Sequence, residues 1–427
     1  MNTVPQQPYR VRAVHCDYRA GNEEVYQALK RATDPLACAW ERLSRARRIA
    51  IKFNHDWQPN RLVTYQGQRQ QLVSDTVARA VLRLLKERTP AEIFAVDVGV
   101  ESLVLGPQRE QGYMILPVLR EFGVPYVDGV VDGVTWVDVP GGGQMFERYP
   151  IPQSVAQADE VVSVQKIKNH AFMGVTLCLK NLFGLLPLMP HGRPRHYYHH
   201  LGRMPYMLAD LGRVFDPALN ILDGLVCQAG QEWGLGEDVR VCNTLVAGDQ
   251  VIATDAAATH LMGHDPYADW LAPPFHRDRN AILVAAQGGY GTVNLDEIDF
   301  RSEVPAPIGV FFAREWDSRE MIVSWQRTTA EQGLFYREHR DEFVAQYAGK
   351  YILLQMGEVR WTSDDGQIRA SRRLLSGENP EQAMWLKYVD PQENEGEHFE
   401  VYENLLRHSA FQSNDPHIEI TPNPNTV

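Results

Sequence analysis

The sequence is short of cysteine, has no uninterrupted apolar run of membrane length and, over one long stretch, has no acidic residue at all. Its five cysteines, Cys16, Cys38, Cys178, Cys227 and Cys242, are odd in number, widely spaced and never arranged as Cys-x-x-Cys. That excludes a cysteine-based iron–sulfur or zinc framework and fits the reduced thiols of a cytoplasmic protein better than disulfides. The opening residues, MNTVPQQPYRVRAV, lack the apolar core of a signal peptide. The stretch 171–190 approaches membrane length, but Lys180, Asn181, Gly184 and Pro187 interrupt it. Neither Gly141-Gly142-Gly143 nor Gly288-Gly289-Tyr290-Gly291 has phosphate-loop spacing, and no internal repeat is evident.

With 54 acidic against 42 basic residues, the formal net charge is −12, which argues against nucleic acid or an anionic membrane as a partner of the whole surface. Against that background, residues 161–209 hold no aspartate or glutamate, where ordinary usage would place about six. The first forty residues of this stretch instead carry five histidines, three lysines and two arginines. One electropositive region on a negative body is the pattern expected of a pocket for a small anionic substrate.

Short apolar runs alternate with helical periodicity through most of the 427 residues. RRIAIKF (47–53) reads as a strand, DTVARAVLRLLKER (75–88) as a helix and AEIFAVDVGV (91–100) as a strand again. TLVAGDQVIATDAAATHLMG reads as strand, Gly-Asp turn, strand, then a helix capped by Thr254 or Asp255. The fold class expected is α/β: a mixed, largely parallel sheet flanked by helices, with a small α+β module towards the C-terminus. The expected organisation is a core over 1–300, a connecting segment over 301–335, the small module over 336–392 and a polar tail over 393–427. In the module, a helix from Tyr336 leads to a hairpin turning at Met356-Gly357.

Chemistry concentrates in the acid-free stretch. DEVVSVQKI reads as an interior strand, so Lys168, Asn169 and His170 fall just past its C-terminal edge, where open α/β sheets bind ligands. AFMGVTLCLKNLFGLL then reads as a helix that is apolar all round and therefore buried, with Thr176 and Lys180 on one face beside Gly184, whose missing side chain leaves room for a ligand. A lysine in such a place needs a carboxylate, an anionic ligand or a lowered pKa that makes it a base. His191, His196, His199 and His200 raise a divalent metal as a second option, with His170, His196 and His199 as ligands. Arg193 and Arg195 among them would repel a cation and favour an anion clamp. KFNHDW brings Lys52 and Asn54 to a strand end, and Glu232 lies in a Gly-rich loop where it could act as an acid or base.

These residues also carry a family resemblance. Lys168-Asn169-His170, then Gly174-Val175-Thr176-Leu177-Cys178-Leu179-Lys180-Asn181-Leu182-Phe183-Gly184-Leu185-Leu186-Pro187, then Arg and His, resemble the central signature of the family called domain of unknown function 362. Ile51 to Asn54, Leu222-Asp223-Gly224 leading to Glu232-x-Gly234, and Thr254-Asp255-Ala256-Ala257-Ala258 before Leu261-Met262-Gly263 extend the likeness over about residues 10–300. The resemblance implies an α/β core and points to Lys52, Asn54, Lys168, His170, Thr176, Lys180, Asn181, Arg195, His199, Glu232 and Asp255 as site residues. It supplies no reaction. Many family members carry a ferredoxin-type insert of closely spaced cysteines, which this sequence lacks, so an iron–sulfur cluster is not expected. Tyr336 to Pro391, with Tyr347-Ala348-Gly349-Lys350-Tyr351-Ile352, is similar to the small domain of unknown function 5678, which implies an accessory role.

The leading expectation is an enzyme acting on a small carboxylate- or phosphate-bearing molecule by Lys/His acid–base chemistry of isomerase, racemase or lyase type. Lys180, His170, His199 and Glu232 would be the catalytic groups. Lys52, Asn54, Lys168, Thr176, Asn181, Arg193, Arg195 and Asp255 would bind substrate. A distant fold-level analogy to the lactate racemase family adds racemisation to that group. Two alternatives stand beside it: a metal- or cofactor-binding redox protein that lacks its own cluster, and a non-catalytic binding protein. A second copy of the chain, or a protein partner held through the C-terminal module, belongs to the same set of expectations.

Overall fold

The apolar runs pair into one large sheet. In the computed structural model, which describes residues 8–189, 191–231, 238–370, 372–408 and 411, nine strands form this sheet. They are β1 (Tyr9–His15), β2 (Arg48–Phe53), β3 (Glu92–Asp97), β4 (Tyr126–Asp128), β5 (Glu160–His170), β6 (Gly174–Thr176), β7 (Leu219–Gln228), β8 (Val239–Gly248) and β9 (Ile298–Ser302). The order across the sheet is β9-β1-β8-β7-β5-β2-β3-β4, with β6 folded back onto β5. The five strands from β7 to β4 are all parallel, and β1 pairs parallel with β9. Only β8 and the short β6 run against the rest. The α/β class with a mixed, largely parallel sheet is therefore the fold of this protein.

Parallel strands need crossovers, and these cover both faces of the sheet. That explains why β5 and β7 are buried on both faces, polar residues such as Gln165, Lys166 and Asp223 included: every residue of β7, and all of β5 after Glu160, is buried. Each fully buried Val, Ile or Leu contributes about 1.5–3 kcal/mol of burial. Helix α1 (Asp75–Arg88) is one such cover. Ser74 accepts from the Val77 N–H at its start, Lys86 and Arg88 sit in its last turn, and Val77, Val81, Leu82 and Leu85 face the sheet.

The strand order creates the place for a site. From β2 the chain moves outward through β3 to β4, then returns to the other side of β2 as β5. Two neighbouring parallel strands whose chains depart in opposite directions leave a crevice at their carboxyl ends. Those ends here are Phe53 and the Lys168–His170 segment.

Several local expectations change. The helix expected over AFMGVTLCLKNLFGLL is instead a turn, strand β6, the one-turn helix α2 (Cys178–Asn181) and a 3-10 turn over Leu182–Leu185. Gly174, at φ +74°, reverses the chain so that Val175 and Thr176 pair with Asn169 and Lys168. An apolar run of this kind has no periodicity that separates a buried helix from a buried hairpin. VIAT, expected as a strand, opens helix α3 (Val251–Leu261), which Gln250 caps through the Ala253 N–H, so Thr254 and Asp255 lie inside the helix.

The stretch 301–335, expected as a connection, contains most of a 20-residue helix, α4 (Arg319–Glu338), which buries Met321, Trp325 and Tyr336. The hairpin at Met356-Gly357 joins β10 (Tyr351–Gln355) to β11 (Glu358–Ser363), and β12 (Trp385–Tyr388) completes a three-stranded antiparallel sheet. In the expected polar tail, residues 393–408 instead fold back. They form α5 (Glu400–Leu406) and bury Glu395 and the side chain of Glu397. Among the described residues no helix is long and apolar enough to cross a membrane.

Candidate functional site

A cavity of about 380 Å³ opens at the crevice beside the carboxyl ends of β2 and β5. Trp57 follows β2, Lys168 and His170 end β5, Thr176 ends β6 and Lys180 sits in α2; Arg195, His196 and His199 arrive on a later turn. The size suits a small molecule. Among the described residues, no carboxylate lines it.

Several lining groups are held by identifiable bonds. Lys168 donates from Nζ to the Gln71 carbonyl at 2.9 Å and to Asn54 Oδ1 at 3.4 Å, and it faces Thr176 directly across the hairpin. Thr176 Oγ1 is buried with no hydrogen-bond partner among the described residues. A buried hydroxyl left so costs about 1–3 kcal/mol, and a bound ligand would remove that cost. The ring of His170 accepts at Nδ1 from the Phe172 and Met173 N–H groups, at 3.0 and 3.1 Å. An acceptor at Nδ1 places the proton of the neutral ring on Nε2.

The two central imidazoles are kept uncharged. Burial holds the His170 pKa well below the ordinary histidine value, with Lys180, His199, Lys168 and Arg195 adding to it. Burial does the same to His199, followed by Lys180 and Arg195. The His170 and His199 rings lie 6.0 Å apart between centroids, and Phe172 and Phe183 flank His199 at 4.7 and 5.8 Å. Phe183 also lies beneath both cations: the Arg195 guanidinium is 4.4 Å and the Lys180 ammonium 5.5 Å from its centroid. Burial pulls the Arg195 pKa down, against the opposing charges of Asp97, Asp56 and Glu101. Carboxylates thus approach the pocket from outside the acid-free stretch.

Other expected site residues serve the fold. Lys52, expected to bind substrate, is buried, donating to Asp97 Oδ2 at 2.8 Å and to the Phe53 carbonyl at 2.7 Å. The space expected beside Gly184 is taken by this pair, since a Cβ there would stand 2.5 Å from Lys52 Cε. Asp97 itself is pushed up to about 6, by burial against the opposing charge of Lys52.

The Asn181 amide donates to the Lys52 carbonyl at 2.9 Å and Ser163 Oγ at 3.0 Å, bracing α2 across β2 and β5. Asp255 accepts the Cys178 and Leu179 N–H groups at 2.9 and 2.7 Å, so it caps α2, and burial pushes its pKa up to about 8 despite those bonds. Arg193 is turned away from the cavity into a two-bond pair with Glu395 and stacks 4.0 Å from the Tyr388 centroid. Asn54 reaches the site through Lys168, and Glu232 lies outside the described residues.

For a metal, His170, His196 and His199 do share the cavity. However, Nδ1 of His170 is bonded to backbone and Nε2 of His196 lies 2.9 Å from the Gly366 carbonyl. Among the described residues no group of three or more His, Cys, Asp or Glu is placed to hold a metal ion.

Sequence reasoning passed over Trp57, Asp97 and the buried pair Lys166–Asp223, whose Nζ–Oδ2 distance is 2.8 Å. Asp97 had a signal, as the one charge closing the apolar strand AEIFAVD. Lys166 and Asp223 had none, because register between β5 and β7 makes them neighbours.

Residues 49–260 match the family model Domain of unknown function (DUF362). The DUF362 match takes in every described residue that lines the cavity and ends well before the C-terminal sheet. A thylakoid-associated protein of Synechocystis sp. is 26% identical over 254 residues, covering 58% of this chain and 73% of its own. Among solved structures, the lactate racemase apoprotein from Thermoanaerobacterium thermosaccharolyticum aligns over 61% of this chain at 12% identity and a TM-score of 0.36. The alignment spans 58% of that protein's length.

Proposed function

We propose that the protein is an enzyme that binds a small carboxylate- or phosphate-bearing molecule in the 380 Å³ cavity and moves a proton on it. The observation that carries this reading is the convergence of Lys168, Lys180 and Arg195 with two neutral imidazoles and the Thr176 hydroxyl on one cavity. Cations and a hydroxyl hold an anion by charge-assisted hydrogen bonds. Neutral imidazoles exchange protons near neutral pH.

The roles follow from geometry. His170, with Nδ1 occupied by backbone N–H groups, offers an Nε2–H and serves as a hydrogen-bond donor to a substrate oxygen. His199, uncharged and 6.0 Å from His170 between ring centroids, serves as the base. Lys180, whose charge acts on both rings, stabilises negative charge developing on the substrate. A base that takes and returns a proton, beside a hydrogen-bond donor and cations for the anion, suits an isomerase, racemase or lyase step.

Native mass spectrometry of freshly purified protein, together with calorimetric titration of inorganic phosphate and short carboxylates, tests the reading. A small anion retained by the protein and lost from both Lys180→Ala and His170→Ala is the expected result. Binding and turnover unchanged in both variants would overturn it.

A further inference from the structure

Arg195, His196 and His199 belong to a stretch, 193–200, whose only regular element is the single turn Arg195–Tyr198. The far end of the chain holds this stretch in place. Arg193 bonds the Glu395 carboxylate twice, Nε to Oε1 and Nη2 to Oε2, each at 3.1 Å. The Tyr197 and Tyr198 hydroxyls donate to the same carboxylate at 3.1 and 2.8 Å. Glu395 is 3% exposed, and its bonds reach back roughly 200 residues in sequence. Arg193, Tyr197 and Tyr198 turn towards the C-terminal segment, while the interleaved Arg195, His196 and His199 turn into the cavity.

We propose that Glu395 is a positioning residue for this site: by gathering four donors from residues 193–198, it sets where Arg195 and His199 stand. The proposal rests on the reading of the cavity given above. It moves the C-terminal segment, which lies outside the DUF362 match, from accessory to part of the site's framework. A carboxylate that only stabilised the C-terminal fold would leave the cavity unchanged when weakened.

The test compares three variants of the full-length protein by calorimetric titration of inorganic phosphate, at a temperature well below every unfolding midpoint. Imidazole NMR of His199 without ligand provides a second readout. Glu395→Gln keeps the shape and loses the charge; a tenfold or greater loss of phosphate affinity and a shifted His199 resonance are expected. Tyr198→Phe removes one donor at little risk to folding and should lose affinity severalfold, so it decides the matter if Glu395→Gln does not fold. Tyr402→Phe removes the neighbouring bond to Glu397, 2.8 Å long, and should keep wild-type affinity.

Wild-type affinity and an unmoved His199 resonance in Glu395→Gln or Tyr198→Phe would overturn the proposal, as would an equal loss in Tyr402→Phe. A wild-type protein that binds no phosphate counts against the phosphate form of the site reading. In that case the His199 resonance alone decides the positioning role.

Discussion

Two sets of basic residues, all but Lys52 drawn from the acid-free stretch 161–209, have different environments. Lys52, Lys166, Arg193 and Arg203 each meet a protein carboxylate: Asp97 and Asp223 at 2.8 Å, Glu395 at 3.1 Å and Glu397 at 3.0 Å. Lys168, Lys180 and Arg195 line the cavity. Composition alone marks six of the seven, all but Lys52, as basic residues of the acid-free stretch. What separates them is place: the first set forms ion pairs within the fold, and the second stands at the wall of a cavity. The first set ties strands and segments together, and the second lines a space of small-molecule size.

The comparison breaks most visibly if the two sets respond alike to substitution. Asp223→Asn strands the Lys166 charge inside the sheet and should cost about 3–5 kcal/mol in denaturant unfolding. Lys180→Met should cost about 1 kcal/mol or less while removing anion binding, because its place is half-buried at the cavity wall. Equal destabilisation by the two would dissolve the distinction.

Acidity separates them next. Burial favours the neutral form of Glu397, but Lys387 and Arg203 hold its pKa at about 2. Its stabilising contribution is therefore complete above the unfolded value near 4.5 and disappears as pH falls through about 2, an effect on the order of 3 kcal/mol. Glu397→Gln should flatten the acid limb of a stability profile over that window. Asp97 works in the opposite sense. With its pKa raised to about 6, it favours the fold below the unfolded value near 3.8, and that contribution is lost as pH rises through 6.

In the cavity, the same physics couples protons to ligand. His170 and His199 are neutral in the empty site, so their stabilising contribution is present above the usual histidine value and is lost as pH falls through their depressed ones. A bound anion raises both pKa values. Binding should then take up protons below about pH 6.5, a fraction of one per site, measurable by calorimetry in buffers of different ionisation enthalpy. The smallest effect belongs to Thr176→Val, which should leave stability within about 1 kcal/mol of wild type and weaken anion binding severalfold.

Much of the fold was legible. Strand–helix alternation over residues 47–100 reads directly as β2, α1 and β3, and the short apolar runs in β5 and β7 read as strands. The place of the cavity was legible too, because Lys168 and His170 close an interior strand. Local form was harder. Thr176 was read as one helical turn from Lys180, but it sits on a hairpin opposite Lys168; both arrangements put it near the same ligand, and only the second explains Gly174.

Partners distant in sequence were illegible. Nothing near Arg193 announces Glu395, and nothing near Lys52 announces Asp97, so a charge paired within the fold looked the same as one at the cavity wall.

Diffraction from crystals soaked in selenate, with the anion located by its anomalous signal, tests the central claim most directly. The expected result is an anion in the cavity within hydrogen-bonding reach of Lys180, Arg195 or Thr176, absent from Lys180→Ala. A cavity without selenate at saturating concentration, or an anion bound equally well in Lys180→Ala, would contradict it.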